Sequence, residues 1–271
     1  MSMRRFYSLD DFDTQEFLGH AEVHLVAPPR LAPTLAACFT DQVVASLTGL
    51  RAIVFDFGGT LDGPGVPWVE RFAAAYRAEG VDASPAHIQD AVGFGTRQAY
   101  HTPHVASFNL RETVAFHVAN QFAHLGIEDA RAAAAITERF VKETVTALAE
   151  SRALLTRWVP RFKLGVVSNF YGNVGRILEE SGLTPLLGAV VDSTVVGVSK
   201  PDPRIFQLAV EQLGVRAAQT LFVGDSLEQD IKPARAAGLH TAWLNGSHAH
   251  DATAADVHLR SLADLEPVLG V

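Results

Sequence analysis

Cysteine is almost absent: Cys38 is the only one in 271 residues. A single thiol cannot close an internal disulfide or build a thiolate metal site, which excludes a disulfide-stapled scaffold and is compatible with a reducing cytoplasm. Cys38 reads as a small buried apolar residue. Also missing is any Lys/Arg-rich run. The formal net charge is -8 with acidic and basic residues interspersed, so the electrostatic footprint needed for nucleic acid or an anionic membrane surface is not there. No segment approaches the roughly 20 uninterrupted apolar residues of a membrane span. Met1 to Asp13 carries two arginines, then acidic and polar residues where a signal peptide would need an apolar stretch. Internal repeats and low-complexity tracts are lacking too, and the Ala-rich patch around Ala133 is helix-favouring composition. These absences predict a soluble, cytoplasmic protein whose partner is a small molecule.

What is present suits a globular core with an added subdomain, since 48% of residues are hydrophobic and 19% charged. Residues 1–50 read as an extension, with a short apolar run at Val23 to Val26, a break at Pro28-Pro29 and a helix from Pro33 to Leu47. Its mixed apolar segments suit covering a sheet edge or making a homodimer contact. The run Arg51-Ala52-Ile53-Val54-Phe55-Asp56 then reads as a buried parallel strand ending in a carboxylate and entering a tight Gly58-Gly59 loop. Over residues 66–155 the apolar spacing is helical, at Val69 to Glu79, Arg111 to Leu125 and Asp129 to Ser151. Strand-like runs resume at Lys163 to Val167, Ala189 to Val191, Thr220 to Val223 and Thr241 to Leu244. Helical stretches at Asn173 to Ser181, Pro203 to Leu213 and Asp230 to Ala237 alternate with them. The pattern predicts a doubly wound parallel α/β sheet from residues 51–65 and 156–271, with an all-helical insertion at 66–155 over the ligand crevice.

In such a sheet the loops after neighbouring strands converge, so four short segments can be read together. Asp56-Phe57-Gly58-Gly59-Thr60-Leu61-Asp62 puts a carboxylate at a strand end beside glycines that allow close backbone approach. Val166-Val167-Ser168-Asn169 adds a hydroxyl and an amide. Ser199-Lys200-Pro201-Asp202-Pro203 holds a lysine before a stiff turn, and Gly224-Asp225 through Asp230 supplies a carboxylate pair. Several carboxylates with a backbone carbonyl make a hard oxygen site of the kind Mg²⁺ prefers.

In this order the four segments resemble the signature motifs of the haloacid dehalogenase superfamily over roughly residues 51 to 265, including a cap in the expected insertion. That resemblance implies a Mg²⁺-dependent hydrolase of a small phosphorylated metabolite. Asp56 would be the nucleophile, and Ser168 and Lys200 would bind the transferring phosphoryl group. Asp225, Asp56 and the Gly58 carbonyl would hold Mg²⁺, with Asp230 orienting the metal's water shell or Lys200. Gly59, Thr60 and Asn169 would line the substrate. Arg97, His101 and His104, beside the break at Pro103, suit a substrate-facing loop of the cap. Asp230 also sits where a helix should start and could cap it. Phe170 and Tyr171, next to Asn169, suit substrate or core packing.

One position departs from the family's phosphatases, which carry an aspartate two residues after the nucleophile where this chain has Gly58. That aspartate is the general acid and base, and losing such a group typically costs about 10²–10⁴-fold in rate. A cap histidine, His101 or His104, could replace it, or the substrate could carry a good leaving group. Phosphonate cleavage through a Schiff base would need the cap lysine, Lys142, to be desolvated. Metal-independent carbon–halogen hydrolysis would leave Asp225 and Asp230 as idle repulsion, and the first arginine after Asp62 is Arg71. A rival reading that Gly58 supports is a weakly active or non-hydrolytic phosphate-binding regulatory protein. The His248-Ala249-His250-Asp251 stretch looks like a small metal tract but reads as a solvated loop.

Overall fold

Ala52–Phe55 are four consecutive apolar residues, and all four are fully buried as strand β1. A strand buried on both faces needs no polar alternation. In this computed structural model, which describes residue 47 and residues 49–245 and 254–271, β1 is central to a six-stranded parallel sheet. The other strands are β2 (Lys163–Ser168), β3 (Ala189–Asp192), β4 (Thr220–Gly224), β5 (His240–Leu244) and β6 (Val257–Leu259). Their order is β3-β2-β1-β4-β5-β6. The expected α/β doubly wound sheet is therefore observed, with one further short strand, β6, at its edge.

Side chains alternate across the sheet with the period of two that a strand imposes. Ile53 and Phe55 point into one layer with Leu164, Val166, Leu221 and Val223, whereas Ala52 and Val54 point into the other with Phe222, Ile205 and Phe206.

Between β1 and β2 the described chain forms no strand. It folds into α1 (Trp68–Ala78), α2 (Pro85–His101), α3 (Leu110–Leu125) and α4 (Ala130–Trp158). Helix α3 starts with a reciprocal capping box, Asn109 and Glu112 each satisfying the other's backbone N–H. Helix α4 begins at the Asp129 cap and outruns its expected end at Ser151. Leu155 and Trp158 continue its apolar stripe onto the sheet, where Trp158 stacks on Phe55. Helix α2 was not among the expected helices because Gly93 and Gly95 lower its propensity. Its buried positions, Ile88, Ala91, Val92, Gly95 and Ala99, nevertheless follow helical spacing. At Gly95 helices α2 and α3 approach closely: a Cβ there would stand 3.2 Å from His117 Nδ1.

After β2 come α5 (Val174–Glu180), the single-turn α6 (Ser193–Val196), α7 (Arg204–Leu213), α8 (Lys232–Ala236) and α9 (Leu265–Leu269). Among the described residues no helix is long and apolar enough to cross a membrane. The 1–50 extension up to residue 46, with Cys38 and the helix expected from Pro33, lies outside the described residues. So does the His248-Ala249-His250-Asp251 stretch.

Candidate active site

The strand register brings the four motifs together. Phe55 pairs with Val166 of β2 and Val223 of β4, so Asp56 leaves the sheet level with the ends of both neighbours. Its own N–H still donates to the Val223 carbonyl at 2.8 Å. Ser168 ends β2, buried, and Asp225 directly follows β4.

From Asp56 the chain makes a wide turn over Phe57–Leu61. Gly59 sits in the left-handed region at φ +88°, and a Cβ there would stand 2.3 Å from Asp225 Oδ2. No side chain fits between the two loops. Gly59→Ala should therefore cost about 1–3 kcal/mol through backbone strain alone and displace Asp225. Lower thermal stability together with weakened divalent-cation binding by calorimetry is the expected result. Gly58 is different: its φ of -74° suits any residue, and a Cβ would meet only the Trp68 indole, at 3.7 Å.

Lys200 is the hub. Its Nζ donates to Asp56 Oδ1 and Asp230 Oδ1, both at 2.6 Å, and all three side chains are buried. Asn169, expected against the substrate, spends its amide on the Lys200 main chain. Its Oδ1 accepts from the Lys200 N–H at 2.8 Å and its Nδ2 donates to the Lys200 carbonyl at 2.9 Å. The clamp fixes the lysine backbone so that the ammonium reaches the carboxylates. Asp230 does not begin or cap a helix: it lies inside the turn Leu227–Ile231, which Ser226 caps, its Oγ accepting from the Gln229 N–H. Asp230 Oδ2 instead accepts from the Ser226 N–H at 3.0 Å. Both of its oxygens are thus engaged within the protein, which suits holding Lys200 better than direct metal ligation.

Electrostatics follow from this burial. Burial pushes the Asp56 carboxyl up; Lys200 opposes the shift and Asp230 adds to it, leaving its pKa at about 7. Asp225 is also raised well above the ordinary range, by burial first and then by the charges of Asp230 and Asp56. Burial alone would lower the Lys200 pKa, but Asp230 and Asp56 outweigh it and hold the ammonium charged. Asp56, Asp225 and Asp230 each offer an oxygen within 4.8 Å of the others. Three carboxylates thus face one ammonium, and an all-oxygen donor set with uncompensated negative charge fits a hard divalent cation such as Mg²⁺.

Behind this centre lies a network that the sequence did not disclose. Asp62, the last residue of the first motif, is fully buried. It accepts from the Gly59 N–H at 2.6 Å and the Trp68 indole N–H at 2.7 Å, and pairs with Arg71 at 3.4 Å. Arg71 reaches on to Thr144 of α4, and Ser151 of α4 donates to the Leu61 carbonyl. The Asp56–Asp62 loop is thereby tied to two helices of the insertion. Trp68 is the residue that sequence reasoning passed over most completely; the spacing Asp62-x₅-Trp68 alone carries no signal.

The remaining expected residues are placed as follows. Thr60 is fully buried and its hydroxyl has no hydrogen-bond partner. Arg97 and His101 are exposed on helix α2 and not on a loop, and His101 Nδ1 bonds the Arg97 carbonyl of its own helix. His104 lies in the exposed 3₁₀ turn Pro103–Ser107, its ring against Phe108. On the same helix the Tyr100 phenol hydrogen-bonds Ser193 and lies within electrostatic reach of Asp192 and Lys200. Phe170 and Tyr171 are buried, packing on Phe57, Trp68, His117 and Tyr100. Lys142 is exposed on α4, which removes the desolvated amine that a Schiff-base phosphonate route would require.

A parallel sheet whose strand ends gather an aspartate, a lysine and two further carboxylates beneath a helical insertion is an α/β fold with its ligand crevice at the carboxyl ends of its strands. The chain belongs to the haloacid dehalogenase-like hydrolase family, whose sequence pattern matches residues 50–238. It is 32% identical over 239 residues to haloacid dehalogenase-like hydrolase domain-containing protein 3 of Bos taurus, covering 81% of this chain and 94% of that protein. It is also 34% identical over 141 residues to the pyrimidine 5'-nucleotidase YjjG of Escherichia coli strain K12, covering 49% of this chain and 63% of the other. Among solved structures, the magnesium-bound HAD-hydrolase YfnB of Bacillus subtilis matches 82% of this chain and 99% of its own at 22% identity and a TM-score of 0.52.

Proposed function

We propose that this hydrolase is Mg²⁺-dependent and cleaves a small phosphorylated metabolite through an aspartyl phosphate at Asp56. The observation that carries the reading is the Lys200 ammonium bridging Asp56 and Asp230 beside Asp225. A carboxylate can approach a phosphate only where both negative charges are offset. Lys200 supplies part of that offset and aims Asp56, while Asn169 and Asp230 hold Lys200. Mg²⁺, held by Asp56, Asp225 and the Gly58 carbonyl, would supply the rest as a Lewis acid. The name of the relative, a pyrimidine 5'-nucleotidase, supports the same chemistry. Metal-free carbon–halogen hydrolysis is disfavoured because Asp56, Asp225 and Asp230 would then face a single ammonium.

The test is a phosphatase screen over aryl and metabolite phosphates with and without Mg²⁺. Turnover that needs the ion supports the reading; silence across the panel, with Mg²⁺ and phosphate still bound, favours a non-hydrolytic regulator. Gly58→Asp is a second test, because position 58 admits a side chain beside Trp68. Restoring the acid and base should raise turnover of ordinary alkyl phosphates by roughly a hundredfold.

Binding of the ion should also register in stability. At about a hundred times its Kd, Mg²⁺ adds about 2.7 kcal/mol, or roughly 5–10 °C in Tm for a protein of this size. Asp56 and Asp225 have raised pKa values when folded, so the metal-free protein binds protons more readily folded than unfolded. It gains stability as pH falls from about 7 toward the ordinary carboxylate range and loses it as pH rises. The Mg²⁺ increment in a melting series should therefore be larger at pH 8 than at pH 5.5.

A further inference from the structure

At the place where a general acid would stand, Gly58 offers no side chain, and what faces that place is an indole. Trp68, half-buried, has its Nε1 3.7 Å from where a Cβ at residue 58 would lie, and Asp62 fixes the ring by accepting that N–H. The indole begins an aromatic arc around the strand ends. Phe170 meets it with ring centroids 5.9 Å apart, Tyr171 follows Phe170 at 4.8 Å, and Tyr100 follows Tyr171 at 4.9 Å. Trp68 and Tyr100 are the accessible members, Tyr100 at 36% exposure. Planar faces of this kind recognise planar π systems.

We infer that the site selects phosphate esters whose leaving group is both aromatic and acidic, an aryl phosphate class, with Trp68 and Tyr100 as the specificity residues. The inference rests on the phosphohydrolase reading above and narrows it to a substrate class.

Two independent observations meet here. Two partly accessible rings, Trp68 and Tyr100, stand near the strand ends for an aromatic leaving group, and an acidic one needs no proton. A phenol ionises near pH 10, as tyrosine does, whereas an aliphatic hydroxyl is nearer to water at about 15.7. In the first step Asp56 forms a bond to phosphorus and the phosphorus–oxygen bond to the aryl group breaks. The electron pair stays on the departing phenolate, which solvent protonates. In the second step water attacks the aspartyl phosphate, the carboxylate leaves with its electron pair, and the water's proton passes to solvent. Neither step asks for a donor at position 58 to release the alcohol.

Four probes separate aromaticity from acidity: phenyl phosphate has both, benzyl phosphate only the ring, acetyl phosphate only the acidic leaving group, and cyclohexyl phosphate neither. In wild type, kcat/KM for phenyl phosphate should exceed that for benzyl phosphate by roughly a hundredfold or more. Gly58→Asp should narrow that ratio by supplying the proton. Trp68→Leu and Tyr100→Leu should each lower the phenyl-to-acetyl ratio by up to about tenfold. The exposed Tyr100 variant keeps the test valid if the Trp68 variant fails to fold. Benzyl phosphate turning over as well as phenyl phosphate, or nucleoside monophosphates outpacing both, overturns the acidic-leaving-group claim. An unchanged phenyl-to-acetyl ratio in both leucine variants overturns the aromatic one. Failure of the underlying reading looks different: none of the four probes is cleaved in an Asp56-dependent way, and the inference falls with it.

Discussion

Asp56→Asn should abolish turnover, by at least roughly 10⁴-fold, as loss of a covalent nucleophile does in other enzymes that act through one. The fold should not suffer. Asp56 is a carboxylate that its surroundings push toward protonation, so replacing it with a neutral isostere removes repulsion against Asp225 and Asp230. Without Mg²⁺, the variant's Tm near pH 8 should equal or exceed that of wild type. Circular dichroism melts beside single-turnover assays read both quantities. A large fall in Tm together with the fall in rate would assign Asp56 a structural role and weaken its assignment as nucleophile.

Lys200→Met should have the largest effect on stability. It leaves Asp56 and Asp230, both buried, without the cation that each contacts at 2.6 Å. Stranding buried charges in this way costs about 3–5 kcal/mol, or roughly 6–20 °C in Tm for a protein of this size. The loss should shrink at pH 5.5, because protonation of Asp56, whose carboxyl burial already raises to about 7, removes part of the uncompensated charge. It should shrink also with saturating Mg²⁺ at pH 8. A Tm loss independent of both pH and Mg²⁺ would point to lost packing and not to charge. Turnover should fall as well, since a phosphoryl group bound as proposed would lose its fixed positive partner.

How far the sequence discloses this protein differs from segment to segment. The four apolar residues of β1 and the carboxylate after them could be read directly, because a strand buried on both faces shows an unbroken apolar run. The strands at Lys163, Ala189, Thr220 and Thr241 were visible for the same reason. Helix α2 escaped because its two interior glycines lower its propensity, and one of them answers a long-range contact with His117. Strand β6 escaped because three residues carry too little pattern. Asn169 was assigned to the correct loop but to the wrong neighbour: an amide's partner depends on which backbone lies opposite, and here that is Lys200, 31 residues away.

By itself the sequence determined the α/β sheet, the helical insertion between the first two strands and the carboxylates and lysine at the strand ends, since these follow from hydrophobic period and short local motifs. The tertiary structure decided how those groups are used. It alone joined Lys200 to Asp56 across 144 positions of sequence, spent both oxygens of Asp230 inside the protein, closed Gly59 against Asp225, tied Trp68 to Asp62 and left Arg97 and His101 exposed on helix α2. Such pairings depend on the relative placement of elements distant in the chain, and placement is fixed by packing and strand register, which no local pattern of residues encodes.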